Sequence, residues 1–87
     1  MSVYVLTYAN CNDSTETFSG VYKTVIDAKV AAIDAIHQIF EDDPWMVEEE
    51  GYHYDDTIQD NGDWVVSIFT VNGEEVEWWR VTEQKEL

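Results

Sequence analysis

The most crowded group of ionisable side chains is a run of acids between residues 41 and 63. This run contains no lysine or arginine, and its ten carboxylates belong to Glu41, Asp42, Asp43, Glu48, Glu49, Glu50, Asp55, Asp56, Asp60 and Asp63. Carboxylates this close together repel one another and lower the stability of the fold. A chain that keeps them is expected to use the negative field for binding.

The overall charge restricts the partner that such a field can attract. The 87 residues carry a formal net charge of −15 with four basic side chains. Nucleic acid and anionic membranes are excluded, because both bind through lysine and arginine. We expect the partner to be a basic protein surface, since opposite fields speed association. The alternative interpretation is an acidic surface that only keeps the protein in solution.

The residues that could support catalysis do not form a recognisable catalytic motif. Cys11 has no basic neighbour in the sequence to make it a thiolate, and His37 and His53 are more typical of boundary and surface positions. Residues 55–63 loosely resemble a calcium loop. With Gly62 at the glycine position, however, the first ligands would not be carboxylates. We expect no enzyme, no metal and no cofactor.

Composition also predicts a single domain and the cellular compartment in which it works. The chain is 45% hydrophobic and contains four Trp, five Tyr and three Phe, which is typical of a folded domain spanning residues 1–87. A single cysteine fits the reducing cytoplasm, that of the host cell if a phage carries the gene. We expect the polar residues from Thr82 to Leu87 to fray.

The first half of the chain predicts two strands and a helix. Residues 3–9 and 17–22 are rich in β-branched and aromatic side chains and are expected to pair as an antiparallel hairpin. Thr24 is a suitable N-cap for a helix over residues 25–40, and Pro44 ends that helix.

The second half predicts strands connected by tight turns. Asn61-Gly62 and Asn72-Gly73 are strong hairpin signals. Strand character is found in residues 45–47, 52–58, 64–71 and 75–81. The resulting order is ββαβββ, an α+β fold with one helix packed on one face of an antiparallel sheet.

Periodicity predicts which side chains share one face of the helix and one face of the sheet. The apolar helix face is expected to carry Ile26, Val30, Ile33, Ile36 and Phe40. Two-residue hairpin loops would place Ile58 opposite Val65, and Phe69 opposite Val76. The sheet face under the helix would then contain Tyr52, Tyr54, Ile58, Val65, Phe69, Val71, Val76 and Trp78.

The other sheet face would be left uncovered by a single helix. Its predicted apolar residues are Trp64, Val66, Ile68, Trp79 and Val81. An apolar patch rimmed by polar groups usually marks an interface. We therefore expect Trp64, Val66, Ile68 and Trp79 to form a homodimer contact or a partner-binding surface. The alternative is that long loops or terminal residues fold over this face.

The acids are expected to form a ridge that a cationic groove can bind. Side chains seven apart share a helix face, and carboxylate pairs with arginine in the same forked geometry as phosphate. The predicted partner-binding acids are Asp27, Asp34, Glu41, Asp42, Asp43, Glu48, Glu49, Glu50, Asp55 and Asp56. Trp45, Tyr52 and Tyr54 are candidate aromatic anchors among them.

In size, charge and the mixture of acids with aromatics between residues 41 and 63, the chain resembles small acidic phage-type inhibitors that imitate DNA. This class includes anti-restriction and anti-CRISPR proteins. The resemblance implies a binding protein that blocks a nuclease or another nucleic-acid-binding protein. It assigns no individual residue, because such inhibitors have many unrelated folds. Two alternatives remain open: an immunity protein or antitoxin that neutralises a basic toxin, and a self-assembling structural protein.

Overall fold

The elements follow the predicted order, with one short helix added. The computed structural model describes residues 1–13 and 15–85. The elements are β1 (Ser2–Asn10), β2 (Glu16–Tyr22), α1 (Val25–Asp42), α2 (Trp45–Glu48), β3 (His53–Ile58), β4 (Trp64–Phe69) and β5 (Glu75–Lys85). The strands form one antiparallel sheet in the order β2-β1-β5-β4-β3, and α1 packs on one face of it. This arrangement confirms the predicted α+β fold.

Both ends of α1 are set by the residues that the sequence singled out. Thr24 is extended, and its hydroxyl accepts a hydrogen bond from the backbone N–H of Asp27, which confirms the predicted N-cap. The helix ends at Asp42, two residues before Pro44. The strand predicted at residues 45–47 is wrong, because Pro44 has helical backbone angles and precedes α2 as its N-cap residue.

The two hairpins of the second half close with three-residue loops rather than the two-residue loops predicted. Backbone hydrogen bonds span Gln59–Asp63 and Thr70–Glu74, which leaves three residues inside each loop. Gly62 and Gly73 occupy the third loop position with φ of +92° and +86°. This left-handed conformation after a tight turn is the reason for glycine at both positions.

The longer loop of the first hairpin shifts the register of β3 against β4 by one residue. Ile58 lies opposite Trp64, and Thr57 opposite Val65, so the predicted pairing of Ile58 with Val65 is wrong. In the second hairpin Phe69 lies opposite Glu75 rather than Val76. The irregularity between Ile68 and Phe69 restores the predicted register for the rest of this strand pair. Because side chains alternate along a strand, the shift in the first hairpin turns β4 over relative to β3, and β5 turns with β4.

The prediction of an exposed apolar sheet face is consequently wrong. The side chains of Trp64, Val66, Ile68 and Trp79 are buried beneath α1 in the main core. Val81 joins them, together with Leu6 of β1. These residues therefore offer no surface for a homodimer or a partner. A self-assembling structural role loses the feature on which it was based.

The helix face that meets the sheet is only partly the one predicted, because Ile33, Ile36 and Phe40 pack in or against the core whereas Ile26 and Val30 do not. Ala28, Ala32 and Ile36 are fully buried against the sheet, whereas Ile26 and Val30 are exposed. Alanines let the helix backbone approach the sheet closely, and the large aromatic side chains of the strands fill the remaining volume. The face that packs is therefore rotated away from Ile26 and Val30 and towards the alanines.

The molecule is long and narrow, and its last strand is longer than expected. β5 runs to Lys85, which pairs with Ser2, so this strand extends four residues beyond its predicted end at residue 81. Residues 86–87 of the segment predicted to fray lie outside the described residues. The principal extents are 48 × 23 × 20 Å. Among the helices of the described chain, none is long and apolar enough to cross a membrane.

Candidate functional site

All ten acids predicted to contact a partner are exposed to solvent. Six of them lie together where α1 ends and α2 follows: Glu41, Asp42, Asp43, Glu48, Glu49 and Glu50. We call the end of the molecule that carries these six residues the acidic end. The prediction that they cluster is consistent with the placement of the two helices.

The acidic end is extended by the adjoining loop of the sheet. Gly51 has φ of +69°, and a Cβ placed on it would lie 3.2 Å from the Val71 side chain, so the segment that follows α2 lies against the β4–β5 loop. Glu74 and Glu75 are exposed in and after that loop. The negative field at this end therefore comes from three separate segments of the chain.

The remaining predicted acids are not brought into this group. Asp27 lies in the first turn of α1, and Asp34 is in the middle of the helix. Asp55 and Asp56 point to opposite faces of the edge strand β3, since neighbouring strand residues alternate. The carboxylate of Asp56 accepts a hydrogen bond of 2.7 Å from the Trp64 indole N–H, which gives Asp56 a structural role.

Two basic side chains mark the opposite end of the sheet. Lys85 is in the strand pair that joins β5 to Ser2 at the start of β1. Lys23 follows Tyr22, which pairs with Tyr4 near the same end. Cations and the main group of acids are therefore segregated along the length of the molecule.

The other two basic side chains lie over aromatic rings. The Lys29 ammonium lies 5.3 Å from the centre of the Trp64 ring, and the Arg80 guanidinium lies 4.8 Å from that of Trp78. Arg80 also approaches Glu16 at 3.4 Å. Within residues 1–13 and 15–85, the ion pairs involve Arg80 alone, and none includes the acidic end. The carboxylates of the acidic end are therefore not neutralised within this part of the chain.

The end of α1 is an unfavourable place for negative charge. The C-terminus of a helix carries a partial negative charge, and each acid there costs about 0.3–1 kcal/mol of stability. Glu41 and Asp42 occupy the last turn, Asp43 caps it, and the turn contains no basic residue. Among these three acids, Asp42 accepts a 3.0 Å hydrogen bond from the Gln38 side chain. A cationic partner would relieve this repulsion.

An exposed tryptophan stands among these acids. Trp45 begins α2 and is 47% exposed, and its ring packs edge-on against Tyr52 at 6.2 Å. Tryptophan is enriched among the residues that dominate binding energy in protein interfaces. The predicted anchor role of Trp45 is compatible with this position. Tyr54 instead contacts His37 through a 3.1 Å hydrogen bond between its hydroxyl and the imidazole Nε2.

The cysteine and tyrosine at the edge of the acidic end have suppressed ionisation. Burial, the Glu75 charge and a hydrogen bond to Glu75 raise the pKa of the Cys11 thiol. Burial and the hydrogen bond that the Tyr8 hydroxyl donates to Glu77 raise the pKa of Tyr8 to about 12. In the described residues, no three His, Cys, Asp or Glu side chains converge to hold a metal ion.

The sequence interpretation missed the exposed apolar residues of α1, because it placed Ile26 and Val30 in the core. A second stripe was visible in the sequence. Ala28, Ala32 and Ile36 repeat every four residues and also define a helix face. Had that stripe been taken as the packed face, Ile26 and Val30 would have been predicted to be exposed.

The fold and the site define an α+β protein with one main helix on an antiparallel sheet and a concentrated, exposed acidic end. Comparison of the chain with family models, curated proteins and solved structures finds no match in any of the three. The functional conclusion therefore depends on the physical chemistry of the site.

Proposed function

We propose that this protein binds a basic, nucleic-acid-handling protein and blocks its polynucleotide site by presenting carboxylates in place of phosphates. The observation that carries the proposal is the acidic end, whose six side chains are exposed. They are also free of ion pairs within the described residues. A fixed group of unneutralised charges is what a cationic groove needs in order to exchange phosphate for carboxylate.

The charge density supports the comparison with a polynucleotide. A net charge of −15 on a molecule 48 Å long is about one negative charge per 3 Å. One strand of duplex DNA carries a phosphate about every 3.4 Å along the axis. Along α1 alone the acids are sparser, because Asp27, Asp34 and Glu41 are about 10 Å apart. The acidic end is therefore the part of the molecule that best imitates a strand.

The finer assignment follows from the resemblance to phage-type inhibitors. A partner of the restriction or CRISPR type would be met in the cytoplasm, that of the host cell for a phage-encoded protein. In that role the protein needs neither catalysis nor a cofactor, and its effect is simple occlusion. Opposite charge would also speed the encounter with its target.

Charge reversal at the acidic end tests the proposal. Immobilised protein is used to capture partners from a bacterial lysate, and a captured protein is purified and titrated. Glu49→Lys with Glu50→Lys is expected to weaken its binding about 100-fold, which corresponds to about 1.4 kcal/mol for each position. Circular dichroism should show an unchanged fold, because both side chains are exposed.

The matched control changes net charge equally at the other end of the sheet. Asp60→Lys with Glu83→Lys also alters two exposed acids and adds the same charge. The affinity of this control variant for the captured protein is expected to fall less than tenfold. Equal weakening by both variants would show that only net charge matters, and unchanged affinity of the Glu49 and Glu50 variant would contradict the proposal.

A further inference from the structure

One side of α1 carries an apolar row whose first two residues are left exposed by the rest of the described chain. Ile26 is 68% exposed and Val30 51% exposed, and Ile33 is half-buried beside them. A shallow apolar depression on the helix surface is lined by these three residues together with Lys29 and Asp34. Bulky aliphatic side chains this exposed on a rigid helix commonly mark a contact surface.

The spacing of this row is that of a coiled coil. The α1 seam, as we call it, runs in alternating steps of four and three residues through Ile26, Val30, Ile33, His37 and Phe40. Tyr54 of β3 contacts His37 and Phe40, so the open part of the seam is its first half. Such spacing places the row along one side of a helix and suits knobs-into-holes packing against a second helix. The heptad positions of Ile26, Ile33 and Phe40 are d, and those of Val30 and His37 are a.

One flank of the α1 seam is uniformly acidic. Asp27, Asp34 and Glu41 each follow a d residue and so occupy the three e positions, seven residues apart. All three are exposed, and none is in an ion pair within residues 1–13 and 15–85. Side chains at e and g positions select the partner helix in coiled coils by charge. This flank therefore requires positive charge on the helix that covers the seam.

A second copy of this chain does not meet that requirement. A two-fold axis that pairs antiparallel helices puts the same flank of each side by side, so the acid row would face the acid row. A parallel pair would instead bring the two acidic ends together. Both arrangements place like charges in contact, which is destabilising.

We propose that the α1 seam docks an amphipathic α-helix of a partner protein. The apolar side chains of that helix cover Ile26, Val30 and Ile33, and its lysines or arginines pair with Asp27, Asp34 and Glu41. This inference goes beyond occlusion by the acidic end and does not require nucleic-acid mimicry. The acidic end and the seam are separate contacts that one partner or two partners can use.

A peptide binding assay tests the proposal directly. The probe is a labelled 21-residue peptide with leucine at a and d and lysine at e and g, and its binding is measured by fluorescence anisotropy at physiological salt. The full-length protein is expected to bind it, and to bind a peptide with glutamate at e and g at least 100-fold more weakly. Equal binding of the two peptides would overturn the charge assignment.

Matched variants separate the seam from net charge. Ile26→Gln with Val30→Gln is expected to weaken binding of the lysine peptide at least tenfold. Phe18→Gln with Val21→Gln on β2 is the control, because those side chains are similarly exposed, at 68% and 53%, and should leave binding within twofold. Equal affinities of these two variants would overturn the proposal. The double variant Glu49→Lys with Glu50→Lys is expected to keep at least a third of the affinity for the lysine peptide, because the acidic end is not part of the seam. This result does not depend on whether the proposed function is correct.

Sedimentation decides between a partner helix and a second copy. The protein is expected to sediment as a monomer at micromolar concentration with its seam intact. A dimer that the Ile26 and Val30 variant dissociates would assign the seam to a second copy and overturn the proposal.

Discussion

Replacing Trp79 with alanine is expected to lower the free energy of unfolding by about 3–5 kcal/mol. Trp79 is 4% exposed and lies in the core beneath α1, with its ring 5.0 Å from that of Tyr8. Removing the indole leaves a cavity that surrounding strands cannot fill. Small domains are stable by about 5–15 kcal/mol, so the loss is a large share of the total.

Urea denaturation followed by far-ultraviolet circular dichroism measures this loss. The control is Trp78→Ala, the next residue, whose side chain lies on the opposite face of the sheet under Arg80. Trp78 is half-buried, so its replacement is expected to cost clearly less. Similar losses for the two variants, or a larger loss for Trp78→Ala, would show that the helix covers the other sheet face.

Replacing Ala32 with glutamine is expected to be almost as damaging. The Ala32 side chain is fully buried where α1 meets the sheet. A longer side chain there costs about 1–3 kcal/mol in strain. Burying its amide without a partner adds about 1–3 kcal/mol. The helix would have to move away from the sheet to accommodate glutamine.

Val30→Gln is the matched control for the orientation of α1. Val30 lies two residues before Ala32 and is exposed, so glutamine there replaces a solvent-facing side chain. Its free energy of unfolding should change by less than about 0.5 kcal/mol, the usual range for surface positions. Thermal melts of both proteins check the comparison, and a lower melting temperature for Val30→Gln than for Ala32→Gln would contradict the observed orientation.

Local signals predicted the elements well because their chemistry acts over a few residues. The Thr24 hydroxyl caps the helix through a backbone N–H three positions away. Pro44 ends α1 by excluding helical geometry before it. Gly62 and Gly73 mark the two turns, since both adopt positive φ. These features decide element order, and the α+β fold follows from that order.

Face assignment failed because it depends on quantities that a short motif does not determine. An Asn-Gly pair is compatible with loops of two or three residues, and one added residue reverses a strand. The Gln59–Asp63 hydrogen bond closes the longer first loop, which turns β4 and β5 over relative to β3. The irregularity after Ile68 offsets the longer second loop. On α1, two stripes compete, and the smaller side chains of Ala28 and Ala32 pack closest to the sheet.

The candidate site was partly predictable for a related reason. Charge concentrated in one segment stays concentrated after folding, so the six carboxylates from Glu41 to Glu50 remain together. Contacts between distant segments could not be foreseen. The sequence does not reveal that Asp56 accepts a hydrogen bond from Trp64, or that Glu74 joins the acidic end through the β4–β5 loop.

The central claim is that the acidic end occupies the polynucleotide site of a basic protein. The most direct measurement is competition, in which the captured and purified partner binds labelled duplex DNA and this protein is titrated in while anisotropy is recorded. The account predicts complete displacement of the DNA, with an inhibition constant that rises steeply with salt concentration, because charges supply the binding. A ternary complex in which the DNA stays bound at saturating protein would contradict it.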